Sequence, residues 1–492
     1  MKKAGRTGAN GAFWAPIEIK EREEETINML NQKTLLLLLA FLVLQPVIDV
    51  LTTASLMVLN VSLTVGVIVR ALYMLVILLL LLKLAFSSRL ARKYVFYLIG
   101  LAVVIVINIL VNMNLKDPYY LFQELKFYNK VVYFPILFFG FNLLYLQLKK
   151  HRTPFMEKTT AYFLYASLII SAVFIISFLT GTSLSNYSHT KIGFTGWFFA
   201  GNEIGAIMAI ILPVTALYAI EKTESFRTSY YWLPFFLLSV SMLFLGTKVG
   251  YGGIVIVLAA SCISLLIIYI TGARTKKTRT NMLVSLFLLA LLALSTPITP
   301  VFSNMYAHLS LLNIDLSKDE PEKEEDPEQQ EGMEGEEEEE EEPKVTQEQV
   351  QNLVFSSREK YLADYKQDYA DAPIMRKLFG MGYAGDYEEP APGQGPKMIE
   401  MDFYDLFFSL GIIGFLYFIA PLLYYAMRFI VYFVRYLKET FTIPYVMYGV
   451  GFILAAGIGA TAGHVFTAPA VSIFAAAIMS LLMVHSGIIE ED

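Results

Sequence analysis

The sequence predicts an all-α polytopic membrane protein of about twelve transmembrane helices, with one large extracytoplasmic loop. Three observations predict it. Hydrophobic residues make up 56% of the 492 and charged residues only 17%, too apolar for a soluble chain with a polar surface. Apolar windows of about twenty residues, enough to cross a hydrocarbon core about 30 Å thick, recur from residue 34 to residue 486. Between them, Lys and Arg gather in alternate connectors.

Residues 1–33 carry mixed charge (Lys2, Lys3 and Arg6, then Glu21, Glu23, Glu24 and Glu25) and lead into an apolar run with no small-residue cleavage site, so the first span is expected to be retained. Spans follow near 34–52, 62–84, 94–113, 130–148, 160–180, 197–220, 229–246, 251–271 and 282–303, and after a polar segment near 404–425, 443–463 and 467–486. Alternate connectors hold Lys83, Arg89, Arg92 and Lys93; Lys149, Lys150, Arg152 and Lys158; Lys222 and Arg227; Arg274, Lys276, Lys277 and Arg279; Arg428, Arg435 and Lys438. By the positive-inside rule these are cytoplasmic. Residues 1–33 and 487–492 are then cytoplasmic ends, 34–303 holds the first nine spans, 304–403 forms the extracytoplasmic loop and 404–486 holds the last three spans.

The loop contains an acidic run. Asp319 to Glu342 has sixteen acids and Lys323, a net of −15, which leaves +9 for the rest of a chain of net −6. Low in complexity and punctuated by Pro321 and Pro327, residues 319–343 cannot bury a core and are expected to be a solvated, disordered insert. Over 345–379, apolar residues such as Leu353, Tyr361 and Tyr365 recur near helical spacing among charges, which predicts amphipathic helices on the membrane surface. The single cysteine, Cys262, sits in an apolar run and excludes an intrachain disulfide framework.

Ionisable groups at membrane depth are costly and mark partners or sites. Asp49 and Arg70 lie in the first and second spans, where they either pair to fix two helices or serve a pathway. Lys116, Lys126 and Lys130 stand among Tyr119, Tyr120, Phe122, Phe127 and Tyr128, a pattern of membrane anchoring. Asn202 and Glu203 open a span in GNEIGAIMAIILP, and Lys248 tips the short turn GTKVGYGG. After the acidic run come Arg358, Arg376 and Lys377, the glycines of GMGYAG, and three carboxylates, Glu400, Asp402 and Asp405, at the mouth of the tenth span. Acids at a helix start can be capping devices, the reading favoured for Asp405; Glu400 and Asp402 are candidates for catalysis.

In this order and topology the motifs resemble the O-antigen ligase and polymerase superfamily of bacterial envelope polysaccharide enzymes. The resemblance is carried by GNEIGAIMAIILP, the GTKVG turn, SSREKY after the acidic run, GMGYAG and the closing EMDFYDLFFSLGIIG. It implies a GT-C-like bundle. Glu400 stands where ligases of the family usually have His, which is closer to the polymerase branch or to a Gram-positive relative, and Lys248 stands where Arg is frequent. The resemblance implies a polyprenyl-diphosphate-linked glycan as donor, membrane lipid and other envelope polysaccharide assembly proteins as partners, and no nucleic acid.

Breaking the sugar–diphosphate bond builds negative charge that fixed cations must meet, and the acceptor hydroxyl attacks better if a base takes its proton. Arg358 and Lys248 are the first choices for the cations, with Arg70 and Arg376 in reserve; Glu400 or Asp402 is the expected base; Asn202 and Glu203 are expected to help bind the glycan. No metal and no cofactor are expected. Of the histidines at 151, 189, 308, 464 and 485, His464 is the one placed near a mouth of the bundle. A lipid-linked sugar flippase or transporter is the alternative of another class. It calls for working charges near the midplane and for internal repeats, whereas here the charges collect at one face.

Overall fold

In a computed structural model the described residues are 30–59, 63–187, 191–272, 274–310, 358–387, 396 and 398–490. The acidic run, residues 345–357, His189 and the first 29 residues lie outside them. Among the described residues eleven helices are long and apolar enough to cross a bilayer, and a twelfth apolar helix has 17 residues. They follow the twelve expected spans one for one.

The first six are α1 (Gln32–Met57), α2 (Val65–Ala85), α3 (Arg89–Leu115), α4 (Leu121–Lys150), α5 (Phe155–Leu179) and α6 (Gly201–Lys222). A 3-10 turn, Phe226–Trp232, leads into α7 (Leu233–Leu245); then come α8 (Lys248–Ile270), α9 (Lys276–Ser295) and α10 (Pro300–Ser310). Past the undescribed stretch lie α11 (Arg358–Asp371), α12 (Ile374–Phe379), α13 (Asp402–Arg435), α14 (Leu437–Thr440), α15 (Ile443–Thr461) and α16 (Pro469–His485). A small antiparallel hairpin, β1 (Leu184–Ser185) with β2 (Phe194–Gly196), is the one sheet among the described residues and was not foreseen. Starts are fixed locally: Thr64, Ser88, Thr247 and Thr275 each accept a backbone N–H of the first turn, which satisfies a donor that the helix leaves open.

Burial divides the helices. α4, α6 and α16 are apolar on every side and almost wholly buried, from Val131 to Leu148, Ile204 to Leu217 and Ala470 to Val484. They form the centre, with α16 packed along α4 and α15 along α6. Outer helices turn large apolar side chains outward; Leu72, Leu79, Phe96, Ile263 and Phe287 are all more than half exposed. A face of that kind suits lipid.

The connectors sort to two ends. At one, His151 meets the Leu30 carbonyl, Gln32 donates to Thr153 and Lys277 pairs with Glu224. At the other, Asn304 donates to the carbonyls of Ile192 (2.6 Å) and Gly246 (2.9 Å), which ties the hairpin loop and the α7–α8 turn to α10. The candidate site lies at this second end.

One helix departs from expectation. At 34 residues, α13 would reach about 50 Å, well beyond one crossing. It breaks at Gly411, where φ is 69° and ψ −176°. The nine residues Asp402 to Leu410 therefore form a separate upper piece, and the apolar run that can cross begins after the break rather than at residue 404.

Candidate active site

The site is built on that break. At Ser409 to Gly411 the backbone is open, and the GMGY loop closes against it: Met381 N donates to Phe408 O at 2.8 Å and Gly382 N to Ser409 O at 3.2 Å. Gly380 (φ 97°) and Gly411 cross so closely that a Cβ on Gly380 would lie 2.1 Å from Ser409 O, and one on Gly411 2.3 Å from Gly380 N. From α3, the fully buried Asn108 donates to Phe379 O and Ser409 O, and Asn112 to Gly380 O at 3.0 Å, so the carbonyls exposed by the break keep partners.

A buried ion pair fixes the other side of the loop. Lys116 Nζ reaches Glu124 Oε1 at 2.9 Å and Tyr383 O at 2.8 Å, and Tyr383 N donates to Glu124 Oε2 at 2.7 Å. Burial lowers the Lys116 ammonium from its ordinary value, with Glu124 opposing. Arg376 is likewise buried and bidentate to Asp386, at 2.7 and 2.9 Å. It holds its own loop.

Asp402, at the first turn of α13, is fully buried. Its Oδ2 accepts from Val465 N and Phe466 N, both at 2.6 Å, and its Oδ1 from Thr467 Oγ1 at 2.5 Å. These bonds fasten the α15–α16 turn, on which His464 stands with Nδ1 3.4 Å from Asp402 Oδ1 and 3.1 Å from Thr467 Oγ1. Burial alone would lower the imidazole, but the hydrogen bond and charge of Asp402, helped by Asp405 and Glu400, hold it above its ordinary value. Asp405 caps its own helix, accepting from Ile399 N and Met401 N at 3.0 Å each.

Glu400 sits between the loop and the turn. Its backbone is left-handed (φ 63°), a conformation that costs a non-glycine residue on the order of 1 kcal/mol and that tends to cluster at working sites. Arg358 Nη2 meets its Oε2 at 3.0 Å.

These pieces enclose a cavity of about 540 Å³. α2 contributes Arg70, α4 contributes Lys126, Lys130 and Tyr133, and α6 contributes Glu203; the loop brings Tyr383 and Glu400, and the last turn brings His464. A family model for O-antigen ligase like membrane proteins matches residues 31–489. The chain belongs to this family. No curated protein matches it. As a member of the O-antigen ligase-like family it is a membrane enzyme of glycan assembly, and lipid-linked glycans are the substrates the family implies.

In this O-antigen ligase-like chain the residues singled out from the sequence divide into two groups. Arg70, Glu203 and Glu400 line the cavity. Arg70 does so while bonded to Asp49 (2.5 Å) and Gln45 (3.0 Å), the pairing weighed from the sequence. Arg358, Lys248, Arg376, Asn202 and Asp402 are not among its lining residues. Arg358 touches it through Glu400; Lys248, at the start of α8, lies within electrostatic reach of Lys191 and Arg358; Asn202 is exposed on the first turn of α6. Arg376 and Asp402 are taken up by the bonds given above, Arg376 holding the loop and Asp402 the turn.

The aromatic setting of Lys126 and Lys130 predicts interfacial anchors, with the span beginning near residue 130. The helix starts at Leu121, so the two lysines, four apart, share one face. Chemically the cavity offers three cations, two carboxylates and an imidazole. Among the described residues no group of three or more His, Cys, Asp or Glu is placed to hold a metal ion.

Proposed function

We propose that the protein polymerises polyprenyl-diphosphate-linked oligosaccharide repeats at the outer face of the bacterial cytoplasmic membrane, by direct and inverting glycosyl transfer. The observation that carries this reading is the gathering of Arg70, Lys126 and Lys130 with Glu400 and His464 around one cavity. A diphosphate leaving as its sugar departs gains negative charge, and fixed guanidinium and ammonium groups stabilise it without reorganising. Arg358, joined to the cavity wall through Glu400, and Lys248, within electrostatic reach of Arg358, suit a long anionic donor. Glu400, on the cavity wall, is placed to accept a hydrogen bond from the incoming sugar.

The orientation rests on charge. The connectors rich in Lys and Arg lie at the end opposite the cavity, and the positive-inside rule makes that end cytoplasmic. Transfer of a finished glycan to a wall, lipid or protein acceptor is the second reading, favoured by the family's description as ligase-like.

The glycan profile of a deletion strain separates the readings. Loss of long chains, with single repeats still made and exported, supports polymerisation; free long chains without attachment support ligation; repeats trapped inside the cell support a flippase and overturn transfer. In the same strain, Lys130→Ala and Arg70→Ala copies are expected to leave short chains only. Normal chain length from both removes the cavity from the reaction.

A further inference from the structure

The proton of the acceptor hydroxyl must go somewhere, and the hydrogen bonds around His464 decide where. Thr467 Oγ1 has one proton. At 2.5 Å from Asp402 Oδ1, a carboxylate oxygen that can only accept, that proton is spent on Asp402. Thr467 therefore meets His464 Nδ1, 3.1 Å away, as an acceptor, and Nδ1 is the nitrogen that carries hydrogen. Both nearby carboxylates, Asp402 Oδ1 at 3.4 Å and Asp405 Oδ2 at 3.9 Å, also face Nδ1. The neutral imidazole thus keeps its lone pair on Nε2. His464 lines the cavity with its side chain 31% exposed, while Asp402 behind it is fully buried. The edge that remains for the cavity is the one bearing Nε2.

We propose that His464 is the proton acceptor of the transfer, with Thr467 and Asp402 as positioning residues that fix its tautomer. The proposal rests on the glycan-transfer reading above and deepens it. The acceptor oxygen attacks the anomeric carbon, the bond from that carbon to the diphosphate oxygen breaks, and its electron pair leaves with the diphosphate. The hydroxyl proton passes to Nε2, giving an imidazolium whose charge Asp402 stabilises through Thr467. Glu400, with one oxygen engaged by Arg358 at 3.0 Å, orients the acceptor. The groups that bear on the imidazole are Asp402 and Asp405 from α13, Glu400 from the loop, Glu203 from α6, and the cavity cations Arg70 from α2 and Lys126 and Lys130 from α4.

Diethyl pyrocarbonate, which acylates an imidazole nitrogen holding a free lone pair, tests the tautomer on the full-length protein in native membranes. Mass spectrometry is expected to find His464 labelled, with polymer formation falling as the label rises. His464→Gln is expected to lower chain extension by about 10²- to 10⁴-fold, and the residual activity to lose the acid limb of the rate–pH profile. Thr467→Val, which removes the hydroxyl at nearly constant side-chain volume, is expected to move that limb to lower pH with KM little changed, which a merely structural residue would not do. His464→Ala activity is expected to rise when imidazole is added. An unlabelled His464, a His464→Gln variant with normal chain length, or a residual activity with the same acid limb overturns the proposal. The labelling needs no glycan, so its failure is distinct from that of the transfer reading. Wild-type membranes that extend no lipid-linked glycan overturn that reading and the base role with it.

Discussion

Arg358 and Glu400 stand 42 residues apart in the chain and meet at 3.0 Å, side chains largely sheltered at 14% and 30% exposure. The contact joins the first described residue after the undescribed stretch to the rim of the cavity.

Removing either partner is expected to be costly. A charged hydrogen bond contributes about 1.5–3 kcal/mol, so Arg358→Ala and Glu400→Gln should each lower chain extension by roughly 10- to 100-fold at unchanged protein level. The double variant should lose less than the two losses combined, because both remove one interaction. Chain-length gels from a complemented deletion strain read this; full additivity would separate the two residues.

Stability and turnover should run oppositely with pH. The folded protein holds the His464 imidazole above its ordinary value, so its contribution to stability is fully present below about pH 6.5, the unfolded value, and is lost as pH rises through the folded one. Over the same window the imidazole becomes able to accept a proton and activity rises. Melting in detergent from pH 6 to pH 9 checks the first half: wild type should lose stability relative to His464→Gln as pH rises. Parallel curves would mean that the imidazolium is not held by its carboxylates.

The Asp49–Arg70 pair predicts an asymmetry. Asp49→Ala leaves a buried guanidinium with Gln45 alone and should cost about 3 kcal/mol. Asp49→Ala combined with Arg70→Met should recover much of that stability but no chain extension. Thermal unfolding with an activity assay separates the two effects, and recovery of activity would make the pair purely structural.

Gly380 and Gly411 admit no side chain. A Cβ at either would meet backbone atoms that cannot swing aside, and both hold positive φ. Gly411→Ala is expected to cost about 1–3 kcal/mol, to raise proteolysis of the segment around residue 380 and to abolish activity while helix content stays constant by circular dichroism. An active Gly411→Ala enzyme would show that loop and break need not touch.

Much of this fold is legible in the chain because span length and cation placement are one-dimensional signals. Asp49 and Arg70 were legible for the same reason: two charges in adjacent apolar runs have few partners but each other. The site was less so. Asp402 and His464 are 62 residues apart, and nothing along the chain says that the first holds the second. The aromatic crowd from Tyr119 to Tyr128 disguised a helix start as an interface, and with it the cavity lysines. Arg376 looked available for substrate because its partner Asp386 lies across a tight loop. The GIIG segment read as the close of a motif, whereas its first glycine is where the helix ends and begins again.

That interruption uncouples two mechanical environments. Below Gly411 the segment answers to the bilayer, tilting as the lipid thickens or thins; above it, nine residues are bolted to soluble-side structure through Asp402, Asp405 and the GMGY strap. A change in lipid composition is then expected to turn the lower segment about that residue and to leave the spacing of Asp402, Asp405 and His464 unchanged.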